Sequence, residues 1–372
     1  MKAPLRIKLV RPLLRRPMFA APSLADFASE IIGLKLHDGW TIDEQYKLPD
    51  GDSGGTFSLL YKGHNEDGRA GFIKVLNYHD AFTSKNSSKV IQRLTERYNF
   101  ESEIVKRCST GRLSRVVKAY AYGETGHPSW GILPVSYIVF ELAEGDVRQA
   151  FDAIQDVDLA TKLRFAHHVA TGASQLHALG IAHQDIKPSN VLVFRGEQDT
   201  RHGSKLTDLG RASDRNVAAW HDENPIPGDA TYVPPEHLYR ATPVGFERRR
   251  VASDVYQVGN LAAFIITGRA MNARLLGHLD LAHNWHNWRD SYDQVLPYVQ
   301  NAHAASIQDV AHEIGGPLAD RIAALISYLT DPDIEQRGHP DSRRAGQPFA
   351  LNRIITDFDR LFRDAEVLAV SG

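Results

Sequence analysis

The sequence predicts an α+β protein of two lobes, a small sheet carrying one helix followed by a larger helical region, with a cleft between them. Two observations carry this. Before about residue 145, short apolar runs alternate with polar turns. After it, long segments repeat their apolar residues at helical spacing.

Residues 56–63, Thr-Phe-Ser-Leu-Leu-Tyr-Lys-Gly, read as a strand after a glycine turn. Residues 70–76, Ala-Gly-Phe-Ile-Lys-Val-Leu, read as its partner across the polar turn His64–Arg69. A loop is expected through Ser84, Asn86, Ser87 and Ser88. Leu94, Tyr98, Glu101, Val105 and Cys108 then recur at helical spacing and mark the helix of the small lobe. Val116–Tyr122 and Ser136–Leu142 read as two further strands. Helices are predicted over 157–179, 254–267 and much of 317–329. In 350–369, Leu351, Ile354, Ile355, Phe358, Leu361 and Phe362 share one stripe, so this last helix is expected to pack on its own domain.

Composition narrows the class. Apolar residues make up 42% and charged residues 24%, the ordinary globular range, and the formal charge of −2 gives no pull toward nucleic acid or an anionic membrane. The single cysteine, Cys108, excludes an internal disulfide and fits a reducing compartment. No window approaches the ~20 apolar residues of a membrane span. The first 25 residues carry Lys2, Arg6, Lys8, Arg11, Arg15 and Arg16, with no acid before Asp26. Pro17, Pro22 and Asp26 break the apolar stretch that a secretion signal needs. This segment reads as a basic arm, either a plain tail or a docking and phosphate-contacting segment.

The chemistry concentrates in residues 181–194, Ile-Ala-His-Gln-Asp-Ile-Lys-Pro-Ser-Asn-Val-Leu-Val-Phe. A polar knot between an apolar helix and an apolar strand holds Asp185, Lys187 and Asn190 in a tight loop. Downstream, Lys205-Leu-Thr-Asp-Leu-Gly210 is a short strand ending in an acid and a glycine. An aspartate base, an asparagine five residues on and a second aspartate after a hairpin are what metal-assisted phosphoryl transfer requires. One group orients the nucleophile, and hard oxygen ligands hold Mg²⁺ against phosphates.

These residues resemble the protein kinase family, over about residues 45–340. His183-Gln-Asp185 through Asn190 resembles the catalytic loop and Asp208-Leu-Gly210 the metal-binding motif. Pro234-Pro-Glu236 resembles Ala-Pro-Glu. Ser253-Asp254-Val-Tyr-Gln-Val-Gly259 resembles the helix behind the catalytic loop, and Asp331-Pro-Asp-Ile-Glu-Gln-Arg337 resembles the late segment whose arginine pairs with the glutamate of Ala-Pro-Glu. The resemblance implies a bilobal kinase fold with an N-lobe over 39–143 and a C-lobe over 144–345, flanked by the arm 1–38 and a C-terminal helix and tail over 346–372. It implies a bacterial-type, cytoplasmic serine/threonine kinase that takes ATP, Mg²⁺ and a protein substrate, with no membrane or specific nucleic-acid partner. Asp185 would act as base, Lys187 would neutralise the γ-phosphate, and Asn190 and Asp208 would hold magnesium. Lys74 would reach the α/β-phosphates, positioned by a helix glutamate. Glu101 shares the face of Leu94, Tyr98, Val105 and Cys108, whereas Glu103 has Arg107 four positions on, so Glu101 is preferred over Glu103. Phe140 would back the adenine pocket, with Glu141 to Ala143 as the hinge whose backbone binds the base. Asp254 would hydrogen-bond the catalytic-loop backbone.

Several positions depart from the family pattern. Ser53-Gly54-Gly55-Thr56-Phe57-Ser58 aligns with the glycine-rich phosphate loop, but serines replace its first and third glycines, which implies weaker nucleotide binding. Gln184 replaces the arginine that in many kinases binds an activation-segment phosphate, so activity is expected not to need phosphorylation within 211–230. Asp229 stands where a threonine commonly contacts the catalytic Asp and Lys. It would either repel Asp185 or pair with Lys187. His278, His283 and His286 lack a metal-ligand spacing and read as peripheral packing. A non-catalytic ATP-binding scaffold (a pseudokinase) and a kinase-like small-molecule phosphotransferase are the alternatives.

Overall fold

The computed structural model describes residues 24–47, 57–130, 133–153, 157–195, 202–226 and 228–371. The amino-terminal lobe is built on β1 (Trp40–Gln45), β2 (Ser58–Asn65), β3 (Ala70–Leu76), β4 (Ala119–Gly126) and β5 (Pro134–Glu141). They form one antiparallel sheet in the order β1-β2-β3-β5-β4. Strand alternation decides what faces where. Ile73 and Val75 are fully buried in the sheet core, so Lys74 between them points to the opposite face. Gly71 is required: a Cβ there would sit 2.5 Å from the Trp40 ring.

Helix α1 (Leu24–Ser29) already belongs to this lobe. Ala28, Ile31 and Leu36 join the sheet core, and the Tyr61 hydroxyl donates to the Ala28 carbonyl at 2.8 Å. Residues 24–38 of the expected basic arm are therefore packed structure, because Ala28, Ile31 and Leu36 are buried with the sheet residues. The short α2 (His79–Thr83) precedes α3 (Ser87–Thr110). Ser87 and Ser88, expected in a loop, open α3. The Ser87 hydroxyl donates to the Ser84 carbonyl at 3.0 Å and the Asn86 amide to Ser84 Oγ at 3.1 Å. Serines that bond locally in this way suit helix starts as well as loops.

The carboxy-terminal lobe begins with β6 (Gly145–Asp146) and α4 (Val147–Ala153), then α5 (Leu159–Ala178), capped by Asp158, whose carboxylate accepts from the Thr161 amide at 2.8 Å. β7 (Ile181–Ala182) pairs with β10 (Ser213–Asp214), and β8 (Val191–Arg195) lies between β6 and β9 (His202–Leu206). The helical body follows: α6 (Pro235–Leu238), α7 (Ala252–Thr267), α8 (Met271–His278), α9 (Tyr292–Ile314), α10 (Ala319–Thr330), α11 (Pro340–Arg344) and α12 (Asn352–Ser371). α7 is buried nearly all round, its polar side chains Ser253, Asp254, Gln257 and Asn260 included. Ile354, Phe358 and Leu361 of α12 are buried in the core that α5 also lines.

The sequence patterns missed α9. Pro297 lies inside it, and a rule that ends helices at proline stops there. The helix persists because Val295, Val299, Ala302 and Ser306 are buried along one side.

Glu236 and Arg337 lock the base of this lobe. Arg337 Nη1 and Nη2 donate to the two Glu236 oxygens at 2.7 and 2.8 Å, and both residues are buried. The guanidinium also donates to the carbonyls of Asp331 and Ala252. Such a fork satisfies the charge it buries.

Candidate active site

The segment between β7 and β8 is held by one buried carboxylate. Asp254, at the start of α7, is 0% exposed and accepts from the amides of His183 at 2.6 Å and Gln184 at 2.8 Å. It also accepts from Gln184 Nε2 at 2.9 Å and lies 2.9 Å from His177 Nε2. Gln257, one turn on, accepts from the Ile186 amide at 2.8 Å and donates to the Gln184 carbonyl at 3.0 Å. These contacts hold Gln184 at φ 68, a left-handed conformation that turns the chain toward Asp185. They also satisfy donors that burial would otherwise orphan.

Asp185 is 7% exposed and its oxygens are shared out. Oδ1 accepts from the Asp229 amide at 2.8 Å, and Oδ2 accepts from Asn190 Nδ2 at 3.1 Å. Lys187 Nζ lies 3.3 Å from Asp185 Oδ2 and 3.6 Å from Asp229 Oδ2. Of the two expectations for Asp229, the structure has the pairing with Lys187, and the ammonium between the carboxylates offsets their repulsion. Gly228 makes this approach possible: a Cβ would lie 2.2 Å from the Gln184 carbonyl oxygen and 2.9 Å from Asp185 Oδ1.

His183 couples this loop to the acid beyond β9. Its Nε2 lies 2.9 Å from the Thr207 carbonyl, and its Nδ1 accepts from the Asp185 amide at 3.3 Å. In that pattern Nε2 is the donor and Nδ1 the acceptor. Asp208 follows Thr207 at φ 58 and meets Lys74 across the cleft. Lys74 Nζ lies 2.7 and 3.0 Å from the Glu101 oxygens and 3.2 Å from Asp208 Oδ1. Burial disfavours the Lys74 ammonium, but the two carboxylates outweigh it and raise its pKa above the ordinary value. Lys74 in turn holds the Asp208 carboxyl below its usual range. Glu103 points elsewhere and pairs with Lys106 at 3.8 Å on the exposed face of α3.

Lys74, Glu101, Asp208, Asn190, Asp185 and Lys187 thus line one cleft. Ser53, Gly54 and Gly55 lie outside the described residues. Glu141 has its carboxylate bound to Lys205 Nζ at 2.6 Å and to the Lys118 amide at 2.7 Å. Any base contact at Glu141 and Ala143 therefore falls to main-chain groups. The donor set fits a magnesium nucleotide. The Asn190 amide nitrogen is engaged by Asp185, which leaves its oxygen as a hard ligand, and the half-exposed Asp208 carboxylate can supply another. Mg²⁺ commonly takes one or two protein carboxylates and completes its shell with phosphates and water. Among the described residues no group of three or more His, Cys, Asp or Glu side chains could hold a metal by itself. His278 pairs with Asp309 at 2.6 Å, and the His283 ring stacks on Tyr298 at 3.6 Å.

A further contact has no signature in the sequence. The Arg97 guanidinium of α3 is sandwiched between Phe57, just before β2, and Trp220, at 3.9 and 3.7 Å from the ring centroids. Burial, with Arg93 and Arg211 nearby, lowers its pKa to about 10. No local motif announces a stack drawn from three separate segments. Among the described residues, no helix is long and apolar enough to cross a membrane.

The chain matches the family model of the protein kinase domain over residues 53–341. It is 27% identical over 225 residues to the probable serine/threonine-protein kinase PknB of Lactococcus lactis, covering 58% of this chain and 33% of that protein. It is 30% identical over 183 residues to the serine/threonine-protein kinase PknG of Mycolicibacterium smegmatis, covering 49% of this chain and 21% of that one. Against the probable serine/threonine-protein kinase pknA2 of Bifidobacterium longum it is 24% identical over 230 residues, covering 61% and 27%. The matches span a third or less of the length of these relatives.

Proposed function

The chain belongs to the protein kinase family, and from that premise we propose that it transfers the γ-phosphate of MgATP to serine or threonine hydroxyls of a protein. The observation that carries this reading is the ion triad Lys74–Glu101–Asp208, which joins the two lobes at the cleft where Asp185 and Asn190 also lie.

MgATP, when bound, supplies the phosphoryl group and the cation that offsets its charge. Asp208 and the Asn190 amide oxygen would hold that cation, and Lys74, kept charged by its two carboxylates, would bind the α/β-phosphates. Main-chain groups from Glu141 to Ala143 would take the base, with Phe140 behind it. Asp185 orients the acceptor hydroxyl and receives its proton at a carboxylate oxygen. Lys187, already beside Asp185, neutralises the transferring phosphate. Its Lys-Pro-Ser-Asn setting supports serine and threonine over tyrosine as acceptors.

The test is incubation with labelled ATP and Mg²⁺, with and without a generic protein substrate, beside Asp185→Ala. Label on serine or threonine of the protein, lost in the variant, is expected. Transfer that survives Asp185→Ala, or label found only on small molecules, would overturn the reading.

A further inference from the structure

Residues 213–226 fold back beside the catalytic loop and are tied down at Asp222. Its carboxylate accepts from Ser213 Oγ at 2.7 Å and from the Ala219 amide at 2.6 Å. Arg250 Nη2 lies 3.2 Å from Asp222 Oδ1 and donates to the Asp222 carbonyl at 2.6 Å, where Arg249 Nη2 also donates at 2.8 Å. Arg250 stands in a π-helical turn, Glu247–Val251, immediately before α7, and is 4% exposed. Wide turns of this kind re-aim side chains and recur at functional sites.

The other end of Arg250 reaches Gln184. Arg250 Nη1 donates to Gln184 Oε1 at 3.3 Å, and Gln184 Nε2 donates back to the Arg250 carbonyl at 2.9 Å. A carboxamide can both donate and accept, so it can answer Arg250 in both directions. An arginine at 184 would keep Asp254 as a partner but would set a second buried cation against Arg250, with no acceptor left to offer it. Gln184 is bonded through its own amide to Asp254 and precedes Asp185 in the chain.

We propose that Asp222, Arg250 and Gln184 form a built-in latch, in which an encoded carboxylate orders the 213–226 segment and positions Asp185 without an added phosphate. Arg250 supplies from the start of α7 the guanidinium that Gln184 lacks. The pair is mutually dependent, because a buried guanidinium stripped of its acid is costly. Ser213, 1% exposed, gives its hydroxyl to the same carboxylate, so phosphate added there would set two anions together. Asp222, Arg250 and Gln184 are positioning residues, and their role rests on the reading of Asp185 as the base.

The experiment uses the full chain treated with a broad-specificity phosphatase, beside Asp222→Asn. Two quantities are read: amide hydrogen exchange over 211–226, and kcat and KM for ATP with a generic protein substrate. Phosphatase is expected to leave the untreated rate unchanged. Asp222→Asn is expected to speed exchange about tenfold and lower kcat by a similar factor, with the KM for ATP within about twofold. If that variant does not fold, Ser213→Ala removes one donor to the same carboxylate, with about a threefold effect expected. Unchanged exchange and kcat in the variant, or loss of activity on phosphatase treatment, overturns the latch. A wild-type chain that transfers no phosphate sinks the kinase reading instead, and the exchange result still decides whether Asp222 orders the segment.

Discussion

Asp185 and Lys74 face the same cleft but are held by different means. Asp185 sits in a buried lattice whose centre, Asp254, is fully shielded and accepts several hydrogen bonds. Lys74 is held by two carboxylates in a site open enough to leave the Asp208 side chain 44% exposed. In the first region a lost bond strands a buried polar group and its effect falls on folding. In the second, Lys74 and Glu101 stay mostly covered but Asp208 is half-open to water, so its contact can be exchanged for that of a ligand. The frame is made rigid, and the groups that would meet phosphate and cation are left adjustable.

Asp208→Ala gives the largest expected effect and the sharpest form of this contrast. It should lower phosphate transfer by several orders of magnitude while shifting the thermal midpoint little, because the carboxylate is half-solvated. A large fall in stability would show that Asp208 belongs to the frame.

Arg337→Met probes the opposite case. Leaving Glu236 buried without its partner should cost about 3–5 kcal/mol in urea unfolding. The pH dependence has a definite sign. Burial alone would raise the Glu236 carboxyl, but Arg337 outweighs it and holds the pKa below the ordinary value. A depressed carboxyl stabilises the fold above its unfolded pKa of about 4.3, and that contribution is lost as the pH falls through the folded value. The wild-type chain should therefore lose stability more steeply in acid than Arg337→Met does.

A smaller effect is expected for Glu101→Gln, which keeps the shape but removes the charge that orients Lys74. kcat/KM should fall about tenfold to a hundredfold, and Glu103→Gln should leave it unchanged. The reverse pattern would mean that α3 presents its other face to the cleft. Arg97→Ala should have the smallest effect, about 1 kcal/mol, read as a several-fold rise in the KM for ATP. A change confined to kcat would place Arg97 with the frame.

The same contrast explains what was legible in the sequence. The polar loop His183–Asn190, the Asp208-Leu-Gly210 turn and Lys74 on a strand each follow from local spacing. Helical periodicity alone separated Glu101 from Glu103. The supports were not legible. Arg250 touches Gln184 from sixty-six residues away, and nothing near either residue marks the other. The Arg97 stack likewise joins positions with no shared period. α9 was hidden by Pro297, and the packed part of the amino-terminal arm by the basic residues before it.

The proposed function requires that Lys74, Asn190 and Asp208 together grip a nucleotide and its cation. Calorimetric titration of the full chain with ATP, in the presence and absence of Mg²⁺, tests it most directly, beside Asp208→Asn. Binding should strengthen with Mg²⁺ in the wild-type chain and lose that dependence in the variant. Absence of ATP binding, or binding equally strong without the cation in both proteins, would contradict it.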